Sequence, residues 1–264
     1  MLELRNITKI FNAGTVNEKV ALSELSLTLN DGDFVTVIGG NGAGKSTMLN
    51  LVAGVFTADE GRVLIDGIDV TELPEYKRAA HIGRVFQDPM RGTAADMWVE
   101  ENLAIADRRG KSRGFKWAIT RQDKKRYQEA LAELDLGLEG RMTTKMGLLS
   151  GGQRQAITLL MATLRRPKML LLDEHTAALD PKTAAKVLEI TERLVEENHL
   201  TTMMVTHNMK DAIAYGNRLI MMNAGKIVLD VSGEEKKNLT IESLLERFTQ
   251  ASGAEFVNDR ALLG

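Results

Sequence analysis

The sequence Gly-Gly-Asn-Gly-Ala-Gly-Lys-Ser-Thr at residues 39–47 constrains this chain more than any other stretch, because it directly follows the apolar run at residues 34–38. Its glycines lack a Cβ atom, so the backbone can turn sharply and direct successive N–H groups toward one point. Apolar residues at helical spacing, Leu49, Val52 and Ala53, come next. The order of buried strand, glycine-rich loop and helix predicts an α/β fold.

This loop is suited to a polyphosphate. The inward-pointing N–H groups and the start of the following helix offer hydrogen-bond donors and the positive end of a dipole. Lys45 supplies a cation, and the Ser46 hydroxyl is placed to ligate Mg²⁺. We therefore expect a nucleoside triphosphate with Mg²⁺ as the ligand; the alternative is a glycine-rich turn that binds nothing.

Composition bounds the class of protein. The 264 residues allow one large α/β domain or two small ones, and a hydrophobic content of 44% supports a full core. A formal net charge of -2 gives no basic field for nucleic acid, so no nucleic-acid partner is expected. The sequence has no cysteine, which excludes disulfides and cysteine-ligated metal centres. Its N-terminus is charged and it lacks an apolar run of about 18 residues, so we expect it neither to cross nor to span a membrane.

Antiparallel strands are predicted near the N-terminus, where apolar and polar residues alternate from Leu2 to Leu29. Phe11 lies in this stretch and could stack on an adenine ring, or it could be an ordinary core phenylalanine. A second antiparallel pair is predicted at residues 62–70, around the turn signal Asp66-Gly67.

Polar side chains follow three further predicted strands: Gln87 after residues 82–86, Asp173 and Glu174 at the end of the run from Met169, and His207 after residues 202–206. The carboxyl ends of parallel strands meet at one edge of a sheet. Asp173 suits a Mg²⁺ contact, and Glu174 suits polarisation of an attacking water. Gln87 could reach Mg²⁺ or that water, and His207 could contact a γ-phosphate. The alternatives are a solvated glutamine, a structural histidine and acids that only cap a strand.

The sequence Leu-Ser-Gly-Gly-Gln at residues 149–153 precedes another helical pattern. Ser150 is suited to cap that helix, and the two glycines allow close approach to the N–H groups of its first turn. The sequence therefore predicts a second anion site. A chain with one phosphate loop needs a second site only if it serves the nucleotide of another copy.

Helices are predicted at residues 100–106 and 122–136, with a basic stretch between and across them. A charge run of this kind is commonly a solvated face; the alternative is contact with anionic lipid headgroups or with a cytoplasmic loop of a partner. The basic residues are Arg108, Arg109, Lys111, Arg113, Lys116, Arg121, Lys124, Lys125 and Arg126.

The last third of the chain contains three further predicted elements. Asp180-Pro181 occupies the cap and first-turn positions of a helix. A hairpin is predicted at residues 219–231, and an amphipathic helix at residues 240–248.

Taken in order, these motifs resemble the ATP-binding cassette of ABC transporters over nearly the whole chain. The residues that carry the resemblance are the loop at 39–47, Gln87, the signature sequence 149–153, the run 169–174, the turn Ala178-Leu179-Asp180 and His207. Three departures stand out, one of which is Phe11, near the position where the family usually has a tyrosine. His175 occupies a position where the family usually has proline, and Gly40 one where proline or serine is common.

The resemblance implies a phosphate-loop ATPase core with a mainly parallel sheet, an antiparallel β layer and an inserted helical subdomain. It also implies a homodimer in which two copies pair head to tail around two ATP molecules. Ser46, Gln87 and Asp173 would surround Mg²⁺, Glu174 would act as general base, and His207 would hold the γ-phosphate. The implied nucleotide contacts are Phe11, Gly39, Gly40, Asn41, Gly42, Ala43, Gly44, Lys45, Ser46, Thr47, Gln87, Ser150, Gly151, Gly152, Gln153 and Asp180.

The resemblance further implies one cassette over residues 1–264, a helical subdomain at 88–149 that receives the permease, and a helix and tail at 240–264. The expected partners are an integral-membrane permease and an extracytoplasmic substrate-binding lipoprotein, with the chain on the cytoplasmic face of the membrane. Import of a small solute such as an amino acid is expected. The alternative is a soluble ATPase of this family that acts without a permease on nucleic acid, translation or cofactor assembly.

Overall fold

The computed structural model describes residues 1–111 and 119–252. Arg113 and Lys116 of the basic stretch and the tail beyond residue 252 lie outside these residues. The described strands are β1 (Leu2–Phe11), β2 (Lys19–Leu29), β3 (Phe34–Gly39), β4 (Glu60–Ile65), β5 (Ile68–Asp69), β6 (Ile82–Val85), β7 (Met169–Asp173), β8 (Thr202–Val205), β9 (Arg218–Asn223) and β10 (Lys226–Ser232).

The described helices are α1 (Lys45–Ala53), α2 (Glu75–Arg78), α3 (Val99–Asp107), α4 (Arg121–Ala132), α5 (Gly151–Thr163), α6 (Pro181–Glu197), α7 (Met209–Ala214), α8 (Gly233–Lys237) and α9 (Ile241–Ser252). Short 3-10 helices occur at Pro89–Gly92 and Met146–Leu148. Within residues 1–111 and 119–252, no helix is long and apolar enough to cross a membrane.

The chain divides into two compact units. The first contains Met1–Arg78 and the chain from His199 onward, and the second contains Ala79–Asn198. The predicted helical subdomain at 88–149 lies within the second unit, but its boundaries stay a prediction.

The first unit contains both predicted kinds of sheet. An antiparallel layer has the strand order β2-β1-β4-β5, and its β4–β5 pair forms the hairpin expected around Asp66-Gly67. The strands β10, β9, β3 and β8 lie side by side, with β3 parallel to both β8 and β9. All six residues of β3 are buried, which confirms the strand predicted before the glycine-rich loop.

Apolar faces of the C-terminal elements complete the core of this unit. The predicted hairpin at residues 219–231 forms as β9 and β10, and the predicted amphipathic helix forms as α9. Leu244 and Phe248 of α9 are buried in a cluster with residues of β9, β10 and α7 such as Met221, Val231 and Ala212. The helix predicted at residues 240–248 therefore forms, and it extends further, to Ser252.

The second unit pairs β6 and β7 in parallel, packs α5 against β6, and packs α3, α4 and α6 against α5. The helix predicted at residues 122–136 ends earlier, at Ala132. Asp135 and Gly137 adopt positive φ angles of 55° and 64°, which a continuing helix does not allow. Leu134 and Leu138 are nevertheless buried, so the apolar pattern continues through turns rather than helix.

Candidate functional site

The phosphate loop begins at the carboxyl end of β3 and leads into α1. Gly44 is the N-cap of α1 and has a φ of 102°, in the region that favours glycine. A Cβ atom at Gly44 would lie 2.6 Å from the carbonyl oxygen of Ala21, so glycine is required there for space as well as for conformation. Gly44 has no side chain that could cap the start of α1, and the first turn of a helix is a common binding place for an anion.

Lys45 is folded back over this loop. Its Nζ donates to the carbonyl oxygens of Gly39 at 2.7 Å and Gly40 at 3.0 Å, and the residue is 8% exposed. The ammonium group therefore lies at the loop itself, where a polyphosphate bound by the backbone N–H groups would meet it. Asn41, Gly42 and Ser46 are exposed around it.

Phe11 lies at the end of β1, where it is half-buried. Its ring makes an edge-to-face contact with Phe56, with 5.2 Å between ring centroids, and the Lys9 ammonium lies 5.7 Å from its centroid. Lys9 is held by Asp59 at 2.8 Å. The ring is thus neither a fully buried core residue nor a freely exposed one, and its stacking on adenine stays a prediction.

The signature sequence forms the start of α5, as predicted. Ser150 is the N-cap: its Oγ accepts from the backbone N–H of Gln153 at 3.3 Å, and Gln153 Oε1 accepts from the N–H of Ser150 at 3.3 Å. Arg141 also donates to Gln153 Oε1, at 3.2 Å. This reciprocal capping box occupies the same groups that would contact the phosphate of a second copy.

The two signature glycines differ in their surroundings. A Cβ atom at Gly152 would lie 2.0 Å from Cγ2 of Thr183 in the first turn of α6, whereas one at Gly151 would lie 3.2 Å from Leu179 Cδ2. Gly152 is therefore required by close packing between the starts of α5 and α6. Asp180 caps α6 as predicted, accepting from the N–H of Thr183 at 3.1 Å.

Asp173 ends β7, and its side chain is 19% exposed. Burial raises its pKa, and the charge of Glu174 adds to the rise, whereas Arg84 opposes it across an ion pair of 3.5 Å. Arg84 also lies over the ring of Phe86, 4.5 Å from its centroid. An arginine that neutralises the predicted Mg²⁺ ligand is a feature that the sequence analysis missed, because nothing in the pattern of a buried strand identifies it.

Glu174 has a φ of 46°, in the left-handed region that non-glycine residues rarely adopt. The next residue, His175, is 2% exposed, and its Nε2 lies 3.0 Å from Thr191 Oγ1 on α6. Burial lowers the His175 pKa to about 4, so the imidazole is neutral at pH 7.

Gln87 is exposed just after β6. The backbone of the residue before it, Phe86, is held by a hydrogen bond. Gln155, a buried residue of α5, donates to the carbonyl oxygen of Phe86 at 3.1 Å. Arg154, also on α5, contacts two other segments. It donates to Met90 Sδ in the 3-10 helix Pro89–Gly92 at 2.7 Å, and to the carbonyl oxygens of Gly147 and Leu149, before α5, at 3.1 and 3.0 Å. The sequence analysis missed the contacts of Arg154 and Gln155, although both residues directly follow the signature sequence.

His207 follows β8 and is exposed. The next residue, Asn208, caps α7 by accepting from the N–H groups of Lys210 and Asp211, and its own N–H donates to Thr206 Oγ1 at 3.1 Å. The backbone on both sides of His207 is therefore held by local hydrogen bonds. The predicted contact between His207 and a γ-phosphate stays a prediction.

The basic stretch is largely neutralised within the described residues. Arg126 pairs with Asp107 at 2.6 Å and Lys124 with Glu100 at 2.9 Å. Arg109 fits neither the solvated nor the lipid-facing interpretation, because its guanidinium donates to the carbonyl oxygens of Ala162 and Arg165 at 2.9 and 3.0 Å. Burial lowers its pKa, and the nearby Arg165 contributes.

The predicted Mg²⁺ ligands Ser46, Gln87 and Asp173 provide a hydroxyl, an amide and a carboxylate. These are hard oxygen donors, and Mg²⁺ takes its remaining ligands from phosphate and water, so the residues fit this metal. Among the residues that the structure describes, no three histidine or acidic side chains cluster as a metal site.

Comparisons with known proteins show which family the chain resembles. Residues 22–177 match the model of the family described as ABC transporter. The chain is 45% identical to the tyrosine transport ATP-binding protein of Clostridioides difficile, over 95% of this chain and 100% of that protein. It is 36% identical to the spermidine/putrescine import ATP-binding protein PotA of Haemophilus ducreyi, over 91% of this chain but only 62% of that protein.

Solved structures show the same fold. The dimeric structure of a post-hydrolysis state of the ATP-binding cassette MJ0796, bound to ADP and Pi, is similar with a TM-score of 0.75. The alignment covers 88% of this chain and 98% of that one at 32% identity. The predicted α/β cassette fold is thereby confirmed.

Proposed function

Because the chain belongs to the ABC transporter family and is an ATPase of the cassette fold, we propose that it is the subunit that energises transport through a separate membrane permease. In this proposal ATP draws two copies together head to tail, and hydrolysis releases them. The homologues named above support an importer, and the tyrosine transport relative supports an amino acid, in particular an aromatic one, as cargo.

One observation carries the proposal: the chain has two helix starts suited to anions but only one phosphate loop. The start of α1 is uncapped by any described side chain and is flanked by Lys45, whereas the start of α5 carries the signature sequence. Two copies facing each other would give each ATP one α1 and one α5. The dimeric cassette bound to ADP and Pi supports this arrangement.

Each site residue has a chemical role in this proposal. Lys45 and the N–H groups of the loop bind the β and γ phosphates, with Gly39, Gly40, Asn41, Gly42, Ala43, Gly44, Ser46 and Thr47 forming the loop. Ser46, Gln87 and Asp173 would hold Mg²⁺, which neutralises phosphate charge when bound. Phe11 stacks on the adenine ring.

The proposed hydrolysis depends on two further groups. Glu174 accepts a proton from the attacking water, and His207 contacts the γ-phosphate and orients that water. From the facing copy, Ser150, Gly151, Gly152 and Gln153 contact the γ-phosphate, which requires the capping box of α5 to share its donors with the ligand. Asp180 maintains the start of α6, against which Gly152 packs.

A permease would contact the second unit. Three large apolar side chains are exposed near its 3-10 helices: Met90 at 41%, Trp98 at 44% and Leu148 at 75%. We infer that this apolar surface receives the permease on the cytoplasmic face of the membrane, with an extracytoplasmic lipoprotein delivering cargo. The ion pairs within the basic stretch leave less charge for direct contact with lipid headgroups.

Glu174→Gln tests the proposed hydrolysis. The amide cannot accept a proton, so turnover is expected to fall by about 10²–10⁴-fold while ATP binding persists and the dimer becomes stable enough to isolate by gel filtration. An unaltered turnover rate would overturn the role of Glu174.

Co-purification from membranes tests the transport function. The tagged chain is extracted in mild detergent, and its companions are identified by mass spectrometry. A stoichiometric permease would support the proposal, and an associated lipoprotein would support import. Recovery with soluble proteins alone, at full ATPase activity, would favour the soluble alternative.

A further inference from the structure

His175 is a buried polar residue next to the proposed catalytic carboxylate. Its ring is 2% exposed, and its Nε2 lies 3.0 Å from Thr191 Oγ1. Thr191 is itself 1% exposed and lies in the middle of α6. The bond therefore joins the segment after β7 to the helix that packs beside it.

The direction of this bond follows from the second contact of Thr191. The Thr191 hydroxyl donates its only hydrogen to the carbonyl oxygen of Val187, at 2.8 Å. With that hydrogen on the Val187 carbonyl, the Thr191 oxygen accepts and the imidazole donates from Nε2. The short contact holds the orientation of the His175 ring against α6.

Glu174 needs such a restraint. Its φ of 46° places an ordinary residue in a conformation that persists only when the surrounding structure enforces it. On one side, β7 ends at Asp173. On the other side, the first residue after Glu174 is His175, held to α6. The strand end and the His175 tether therefore restrain the two peptide units that flank Glu174, together with the N–H of Ala177, which donates to the Glu174 carbonyl oxygen at 3.0 Å.

We propose that His175 is a positioning residue for ATP hydrolysis, which fixes the backbone of Glu174 through its hydrogen bond to Thr191. The inference rests on the proposed role of Glu174 as general base. In this chain the tether takes the place of the proline that the family usually has at this position, so restraint comes from a hydrogen bond rather than from a ring. His175 touches neither ATP nor water in this scheme.

Thr191→Val tests the proposal, because valine keeps the shape of threonine and removes the acceptor. A positioned general base contributes about 10²–10⁴-fold, and loss of one restraint on it is expected to lower kcat by about tenfold. The KM for ATP should change by less than about twofold, since ground-state binding is untouched. Thr191→Ser keeps the hydroxyl and should restore kcat.

Thr163→Val is the matched control. Thr163 is a buried threonine of α5 whose hydroxyl also donates to helix carbonyl oxygens, at 3.0 Å to Leu159 and 3.2 Å to Leu160. The Thr163→Val variant is expected to lose about as much thermal stability as Thr191→Val, without a loss of kcat. Turnover is expressed per bound nucleotide, so that unfolded protein does not count.

The outcomes separate this inference from the proposed function. If Glu174→Gln abolishes turnover but Thr191→Val retains kcat within about twofold, the positioning role is overturned and the proposed base stands. If Thr191→Val and Thr163→Val lower kcat equally, the tether is only structural and the proposal fails. If Glu174→Gln retains turnover, both the base and its positioning are overturned. A kcat loss confined to Thr191→Val, with rescue by serine, supports the proposal.

Discussion

The N-termini of α1 and α5 differ, although both are proposed to bind phosphate. The start of α1 has Gly44 as its cap, a residue with no side chain that could accept from the first N–H groups. The start of α5 has a complete capping box between Ser150 and Gln153. One helix start is therefore prepared for a ligand, and the other already satisfies its own donors.

This difference has an energetic consequence. A ligand at α1 meets no competing side chain from the N-cap residue, because Gly44 has none. A ligand at α5 must share or displace the bonds of the capping box, and that lowers its net gain. We infer that α1 supplies most of the affinity for ATP, and that α5 adds its contacts once the nucleotide already sits on another copy.

At their C-termini the same two helices are alike. Arg78 donates to the carbonyl oxygens of Leu51 and Val52 at the end of α1, at 2.8 and 3.1 Å. Arg109 donates to Ala162 and Arg165 at the end of α5. A cation at a helix C-terminus stabilises the macrodipole and satisfies the last carbonyl groups. In both helices proposed to bind phosphate, an arginine from elsewhere in the chain thus donates to carbonyl oxygens at the C-terminus.

Lys45→Met should break the open site at α1, and we expect the largest effect from it. Loss of a cation aimed at the phosphates should reduce kcat/KM for ATP by about 10²–10³-fold. Steady-state ATPase assays and ATP-dependent thermal shifts measure this. Lys182→Met is the control, because Lys182 is an exposed lysine in the first turn of α6. Equal losses of kcat/KM in Lys45→Met and Lys182→Met would show that Lys45 acts only through its charge and not through its position at the phosphate loop.

The features of α1 and α5 that depend on local sequence could be predicted. Glycine spacing identified the phosphate loop, and Ser150 with Gln153 followed the spacing of a capping box. The arginines could not be predicted in the same way. Arg78 is 1% exposed and bonds to carbonyl oxygens as distant in sequence as Leu51, so its role depends on tertiary packing. Arg109 lies in a charge run that gives no sign of burial.

The contacts around the predicted catalytic residues show the same limit. The end of a predicted strand identified Asp173 and Glu174 as candidate site residues. Neither the ion pair between Asp173 and Arg84 nor the bond between His175 and Thr191 follows from a local sequence pattern. These partners lie on other elements, and their spacing in sequence follows no period. Sequence patterns therefore did not predict which side chains of the site pair across different helices and strands.

Arg78→Met and Arg109→Met test whether the shared C-terminal caps are equivalent. Among the described residues, Arg78 makes four hydrogen bonds to carbonyl oxygens and Arg109 makes two. Each buried carbonyl left without its donor costs about 1 kcal/mol or more. We expect the free energy of unfolding to fall by about 4 kcal/mol for Arg78→Met and by about 2 kcal/mol for Arg109→Met, measured by urea denaturation. A greater loss for Arg109→Met would contradict this order.

Gly152→Ala tests whether α5 needs glycine for packing or for its ligand. The new methyl group would collide with Cγ2 of Thr183, and overpacking of this kind costs about 1–3 kcal/mol of stability. Thr183→Ser removes Cγ2 alone, so the double variant should regain most of that stability in thermal unfolding. If turnover stays low after stability is restored, glycine is needed for the approach of the phosphate. Full recovery of turnover would assign Gly152 to packing only.

Ser150→Ala gives the smallest expected effect and the sharpest comparison. Loss of the cap should lower the free energy of unfolding by about 1 kcal/mol. Thr120→Ala is matched to it, because Thr120 forms the same reciprocal box with Asp123 at the start of α4, where no ligand is proposed. Both variants should lose similar stability in urea, and only Ser150→Ala should also lower turnover in assays at saturating ATP. Both variants lose the same kind of helix cap. If both also lose the same turnover, the capping box at α5 contributes only to folding.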